Sequence, residues 1–119
     1  MDSMSKTTGK NSPQKGDVFW VNFDPTQGTE TKKTRPAVIL SNNLLNKHLP
    51  RLLVAPITSN TSNLYDFDAP VVVSGKKGKV MLDQSRAIDK TRLGKKVCSL
   101  SLEEMNEVER ALRVVFGLS

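Results

Sequence analysis

The run Ser101-Leu102-Glu103-Glu104 opens the one long stretch of this chain whose apolar residues recur at a helical period. Met105, Val108, Leu112 and Val115 fall on one face, and Glu103, Asn106, Glu107, Arg110 and Arg113 take the other. Ser101 and Glu104 make a capping box, acidic residues lead basic ones, and Gly117 is a natural stop. Everything before it reads as short β-rich runs split by polar turns. Val18 to Val21 stops at Asp24-Pro25. Pro36 to Leu40 and Leu52 to Ile57 are apolar enough for burial on both faces. Ala69 to Val73 is a further strand, and 74–78 a turn into Val80-Met81-Leu82. Arg86 to Ile88 continues the pattern and Lys96 to Ser99 is a last short strand. Residues 41–46 read as a short helical turn capped by Ser41. Short strands, then one helix, without βαβ alternation, predict a mostly β chain: a small antiparallel barrel or sheet packed by a C-terminal helix.

At 119 residues this is one domain of common size. Aromatic residues are only 5%, so the core is aliphatic and modest, of the kind a partner subunit often completes. The formal net charge of +6 and a pI near 9.7 favour a polyanionic partner. Residues 1–14 lack apolar periodicity and read as a disordered basic arm, with the folded domain over 15–119. The lone cysteine, Cys98, allows no internal disulfide, and a buried thiol suits a reducing cytoplasm. No apolar run is long enough to cross a bilayer and no secretion signal is evident, so a cytoplasmic chain without membrane contact is expected.

Much chemistry is excluded. His48 is the only histidine and reads as an exposed loop residue, so no Ser-His-Asp set forms without it. One His and one Cys cannot make a zinc site. Asp66 and Asp68, two apart in a polar loop, are a weak candidate for magnesium. No phosphate loop or dinucleotide fingerprint occurs. No metal and no cofactor is expected.

Cations and hydroxyls remain. Lys32, Lys33 and Arg35 form one basic group; Lys76, Lys77 and Lys79 a second; Lys90, Arg92, Lys95 and Lys96 a third. Each is a solvated face or an anion site, and arginine's two-pronged donor geometry suits a phosphate. Thr58 ends an apolar run and opens 59–63, as a turn cap or as a hydroxyl facing a groove. Asp83-Gln84 follows Met81-Leu82 as a strand end or as a group that reads base edges or orients an arginine. Trp20 and Phe23 are candidates to stack on a base, although Trp20, inside a strand, reads as core.

Five segments in order resemble the MazF/PemK family of toxin endoribonucleases from type II toxin–antitoxin systems. They are Lys15-Gly16-Asp17-Val18-Phe19-Trp20-Val21, Asp24-Pro25-Thr26-Gln27-Gly28-Thr29-Glu30, Arg35-Pro36-Ala37-Val38-Ile39-Leu40-Ser41-Asn42, Ala55-Pro56-Ile57-Thr58-Ser59 and Val80-Met81-Leu82-Asp83-Gln84-Ser85-Arg86-Ala87-Ile88-Asp89. The resemblance implies an SH3-like small antiparallel β-barrel with a C-terminal helix, forming a homodimer. It implies metal-independent, sequence-selective cleavage of single-stranded RNA, chiefly mRNA. The RNA's 2′-hydroxyl attacks the adjacent phosphate, leaving a 2′,3′-cyclic phosphate and a 5′-hydroxyl. It implies an antitoxin partner whose acidic, extended segment fills the RNA groove.

By the same resemblance Arg35 and Thr58 are the catalytic pair, and Glu30, Lys33, Ser59, Asp83 and Gln84 contact substrate. The loop from Thr26 to Thr34 corresponds to a mobile loop over the groove. Some relatives carry a histidine where this chain has Thr29 and an arginine where it has Met81, so their His/Arg/Asp set is incomplete here. Two other readings use the same residues differently. A gyrase-inhibiting toxin of the CcdB type depends on a C-terminal aromatic end, whereas this sequence closes Phe116-Gly117-Leu118-Ser119. A non-catalytic RNA-binding barrel has no use for both Arg35 and Thr58.

Overall fold

The computed structural model describes residues 12–23 and 34–119. The expected turn at Asp24-Pro25, the loop from Thr26 to Lys33 and most of the N-terminal arm lie outside them. The strands are β1 (Asp17–Asn22), β2 (Thr34–Ile39), β3 (Arg51–Thr58), β4 (Asp68–Val73), β5 (Lys76–Met81), β6 (Arg86–Asp89) and β7 (Leu93–Ser99). A short helix α1 (Asn43–His48) joins β2 to β3, and α2 (Leu102–Phe116) follows β7. All strand pairs are antiparallel, in the order β4-β5-β3-β2-β1-β7, with β6 also on β3. The sheet curls into a half-barrel, as expected for a mostly β chain with a terminal helix.

Alternation along the central strands buries both faces. Val38, Ala55, Ile57, Val71 and Val80 pack with Val108 and Ala111 of α2. On the other side Val21, Ala37, Ile39, Leu52, Val54 and Ile88 form a second cluster, edged by Phe19, Phe23 and Leu93. The expected two-sided burial holds for Ala37, Val38 and Ile39, but Leu53 in β3 is 46% exposed. Helix α2 has the anticipated capping box: Ser101 Oγ accepts from Glu104 N–H at 3.0 Å, and Glu104 Oε1 from Ser101 N–H at 2.9 Å. Gly117 ends it in the left-handed region.

Several local expectations are corrected. The cap of α1 is Asn42, whose Oδ1 accepts from Leu45 N–H at 3.0 Å. Ser41 is buried instead, donating to Asn46 Oδ1 at 2.5 Å and accepting from Leu53 N–H at 3.1 Å. The β4–β5 turn is only Ser74-Gly75, both at positive φ (53° and 78°), because Val73 already pairs with Lys76. Two such residues twist a hairpin in the hand its strands need. Leu82 belongs to a 3-10 turn, Leu82–Gln84, not to β5. The last strand starts at Leu93, with register shifts against β1 between Val18 and Phe19 and between Phe19 and Val21.

Gly78 decides how closely β5 approaches β3. A Cβ there would lie 2.8 Å from the Thr58 carbonyl oxygen, which is backbone and cannot rotate away. Gly78→Ala should therefore cost about 1–3 kcal/mol of stability and displace Thr58. Urea unfolding checks the first effect; an unchanged midpoint would mean β5 can slide without strain.

Candidate active site

Side chains on alternate positions of a strand share a face, and this brings the site together. Ala37 and Ile39 face the second cluster, so Arg35 leaves β2 on that side. Leu52 and Val54 do likewise in β3, and Thr58 follows them. The β3–β5 register sets Thr58 opposite Lys79. Continued by two residues beyond Ala37↔Pro56, the β2–β3 register sets Arg35 opposite Thr58. Arg35, Thr58 and Lys79 thus form one row across three neighbouring strands.

A groove of about 510 Å³ runs over this row, lined also by Phe23, Pro56, Asn60, Asn63, Tyr65, Met81, Gln84 and Arg86. A second groove, also about 510 Å³, meets it. Trp20, Ser59, Val73, Lys76, Lys77 and Val97 are among its walls. Arg35 and Thr58 are the residues common to both linings. No carboxylate lines either groove among the described residues.

The cations differ in what they have left to give. Lys79 is only 8% exposed, and its Nζ donates to Asp68 Oδ2 at 2.9 Å and to the Asn63 carbonyl at 2.5 Å. It also lies 5.3 Å from the centre of the Tyr65 ring. Its charge is matched inside the fold by the buried Asp68. Arg86 sits over the Phe23 ring at 5.4 Å, with an exposed guanidinium. Arg35 is half-buried at the groove junction, and no carboxylate pairs with it among the described residues.

Thr58 Oγ1 accepts from Asn60 N–H at 3.1 Å. A hydroxyl both accepts and donates, so this bond leaves the Thr58 hydrogen for a ligand. The turn-cap and groove-hydroxyl readings of Thr58 describe the same atom. Gln84 lines the first groove from the 3-10 turn, its Nε2 lying 3.7 Å from Met81 Sδ. Asp83, on the same turn, is exposed and outside both linings. Ser59 lines the second groove. Glu30 and Lys33 lie outside the described residues.

Trp20 is corrected from core to surface. It is 43% exposed and forms a wall of the second groove. Phe23 is half-buried and lines the first. Asp68, weighed as a cation ligand with Asp66, is taken by Lys79 and by the Tyr65 N–H at 2.9 Å. Among the described residues no three His, Cys, Asp or Glu side chains cluster. His48 ends α1 and is exposed. Cys98 is half-buried rather than buried; burial, then the Glu104 carboxylate, push its thiol up. Sequence reasoning missed Arg86, Asn60, Asn63 and Tyr65 as groove residues. Their signal was weak, because only the chain's curl brings the β3–β4 loop and β6 to Arg35.

The fold and the junction together describe a small basic half-barrel with an arginine and a hydroxyl where two grooves meet. A model of the PemK-like, MazF-like toxins of type II toxin–antitoxin systems matches residues 14–116, every described strand and α2 included, and the chain belongs to that family. No helix among the described residues is long and apolar enough to cross a membrane. MazF from Deinococcus radiodurans superposes with a TM-score of 0.76 at 28% identity, covering 90% of this chain and 98% of that one. An endoribonuclease from a mycobacterial species, in complex with its cognate antitoxin, gives 0.76 at 25%, covering 91% and 98%. Another mycobacterial endoribonuclease shares the fold at 24% identity with a TM-score of 0.76, covering 91% and 94%.

Proposed function

We propose that this toxin is an endoribonuclease that cuts single-stranded RNA, chiefly mRNA, without a metal ion. The observation that carries the reading is the junction of two grooves at Arg35 and Thr58. A strand laid through both grooves has one phosphate at that point and a base on either side. The 2′-hydroxyl gives up its proton to solvent water as its oxygen bonds to the adjacent phosphorus, the bond from phosphorus to the 5′-oxygen breaks, and that oxygen takes up a proton from solvent, so no net proton is consumed. The products are a 2′,3′-cyclic phosphate and a 5′-hydroxyl. In the transition state negative charge builds on the non-bridging oxygens. The Arg35 guanidinium and the Thr58 O–H, fixed before substrate arrives, stabilise it; such donors are worth roughly 3–4 kcal/mol each.

The remaining groups position the strand. Arg86 supplies a second phosphate contact, and Gln84, Asn60 and Asn63 offer amides to base edges. Ser59 and the exposed Trp20 serve the second groove. Glu30 and Lys33 belong, by family position, to the loop over the site. Asp83, exposed beside Gln84, contacts RNA near the scissile phosphate by family position. The working form is a homodimer in the cytoplasm, held in check by an antitoxin whose acidic, extended segment competes for the same cations.

The test is cleavage of a long RNA in EDTA beside a matched DNA, with cuts mapped by primer extension. Discrete cuts in RNA alone are expected. RNA binding without cuts would favour a non-catalytic barrel, and neither binding nor cuts would favour a gyrase-directed toxin. RNA affinity should also fall steeply with salt, log K changing by about −0.7 per phosphate contact against log salt. A flat titration would make the basic groups ordinary surface charge.

A further inference from the structure

The β3–β4 loop, 59–67, forms one wall of the first groove and is held by more bonds than its exposed position requires. Lys79 takes the Asn63 carbonyl and the Asp68 carboxylate, and lies against Tyr65. Tyr65 in turn stacks on Phe67, ring centres 5.1 Å apart, and exchanges backbone and side-chain bonds with Asp68. From outside the groove Arg110 of α2 donates to the carbonyls of Asp66 at 2.9 Å and Asp68 at 3.1 Å.

We infer that Lys79 and Arg110 are positioning residues for base selection, clamping the β3–β4 loop so that Asn60, Asn63 and Tyr65 form a rigid reading wall beside the scissile phosphate. The inference rests on the endoribonuclease reading and adds what sets its specificity. The clamp uses up the Lys79 charge, so Lys79 is not a phosphate ligand. The loop residues that line the groove, Asn60, Asn63 and Tyr65, are neutral and suited to bases. Asn60 Oδ1 already accepts from Ser62 N–H at 3.1 Å and Ser62 Oγ at 2.5 Å, which leaves the Asn60 amide hydrogens as the donors it can offer. A donor discriminates between bases only if it cannot follow the wrong one; a loose loop would adapt to several.

Arg110→Gln is the cleaner variant, because Arg110 lines neither groove. The ratio of kcat/KM at the preferred site to that at single-base variants of it should fall by about 10-fold. The rate at the preferred site should stay close to wild type. Lys79→Met combined with Asp68→Asn removes both buried charges at once, leaving neither unpaired, and should relax the mapped cut motif in the same direction. A merely structural role would lower the melting temperature without changing the ratio. Folded variants with the wild-type ratio overturn the inference and leave the endoribonuclease reading standing. If the double variant does not fold, Arg110→Gln alone decides. A wild-type protein that cuts no RNA overturns both.

Discussion

Arg35→Ala should reduce the single-turnover cleavage rate by about 10²–10³-fold while leaving the protein folded. The first half of that expectation follows from where the guanidinium sits. It lies at the junction of two grooves, where a phosphate laid across the junction meets its paired donors. The second half follows from what Arg35 does not do. It belongs to neither apolar cluster, and the β2 residues that do, Ala37, Val38 and Ile39, are untouched by the change. RNA affinity should weaken less than the rate, because Arg86 and the lysines of the second groove remain. Arg35→Lys should fall between, keeping a charge but losing the paired donors that match two phosphate oxygens. Rapid-quench assays with enzyme in excess separate rate from affinity. An Arg35→Ala enzyme that cuts at full rate would remove Arg35 from the chemistry.

How much of this was legible in the chain follows from the range of the interactions involved. Local signals were clear. The Ser101–Glu104 box, the Gly117 stop and the apolar run from Leu52 to Ile57 are each decided within a few residues, and each appears where expected. Short-range competition between equal candidates was not. Ser41 and Asn42 are both capping residues; Ser41 loses because its hydroxyl is drawn inward to Asn46 and Leu53. Trp20 looked like core because it lies inside a strand; alternation does put it on the face of buried Val18, but it sits beyond the first cluster and forms a wall of the second groove. The site itself divides the same way. Arg35 and Thr58 could be singled out by type and by motif, but their proximity depends on the β2–β3 register. Lys79 reads in the sequence as one of three surface lysines. Only pairing with Asp68, eleven positions away, and with the Asn63 carbonyl makes it internal.

Substitutions at Thr58 should separate its two bonds, and the expected order is wild type, then Ser, then Val and Ala far below. Thr58→Ser keeps an oxygen to accept from Asn60 N–H and a hydrogen to donate, so it should retain most activity. Thr58→Val keeps the shape and removes both bonds; a loss of about 10²-fold in cleavage is expected from a missing transition-state donor. Thr58→Ala removes the shape as well, and should cost no more than that in rate if the donor is what matters. The turn bond alone contributes about 1 kcal/mol to stability, which a melting curve would register in Val and Ala alike. Thr58→Asp tests the pair from one side. Its carboxylate can accept from Asn60 N–H and so hold the turn, but it donates nothing, repels a phosphate, and opposite Arg35 would take the cation that the scissile phosphate needs. The Asp variant should therefore melt close to wild type and be as inactive as Ala. An Asp variant that cleaves nearly as well as Ser would take both the Thr58 hydroxyl and the charge at this junction out of the chemistry, while the contrast between Ser and Val measures the donor itself.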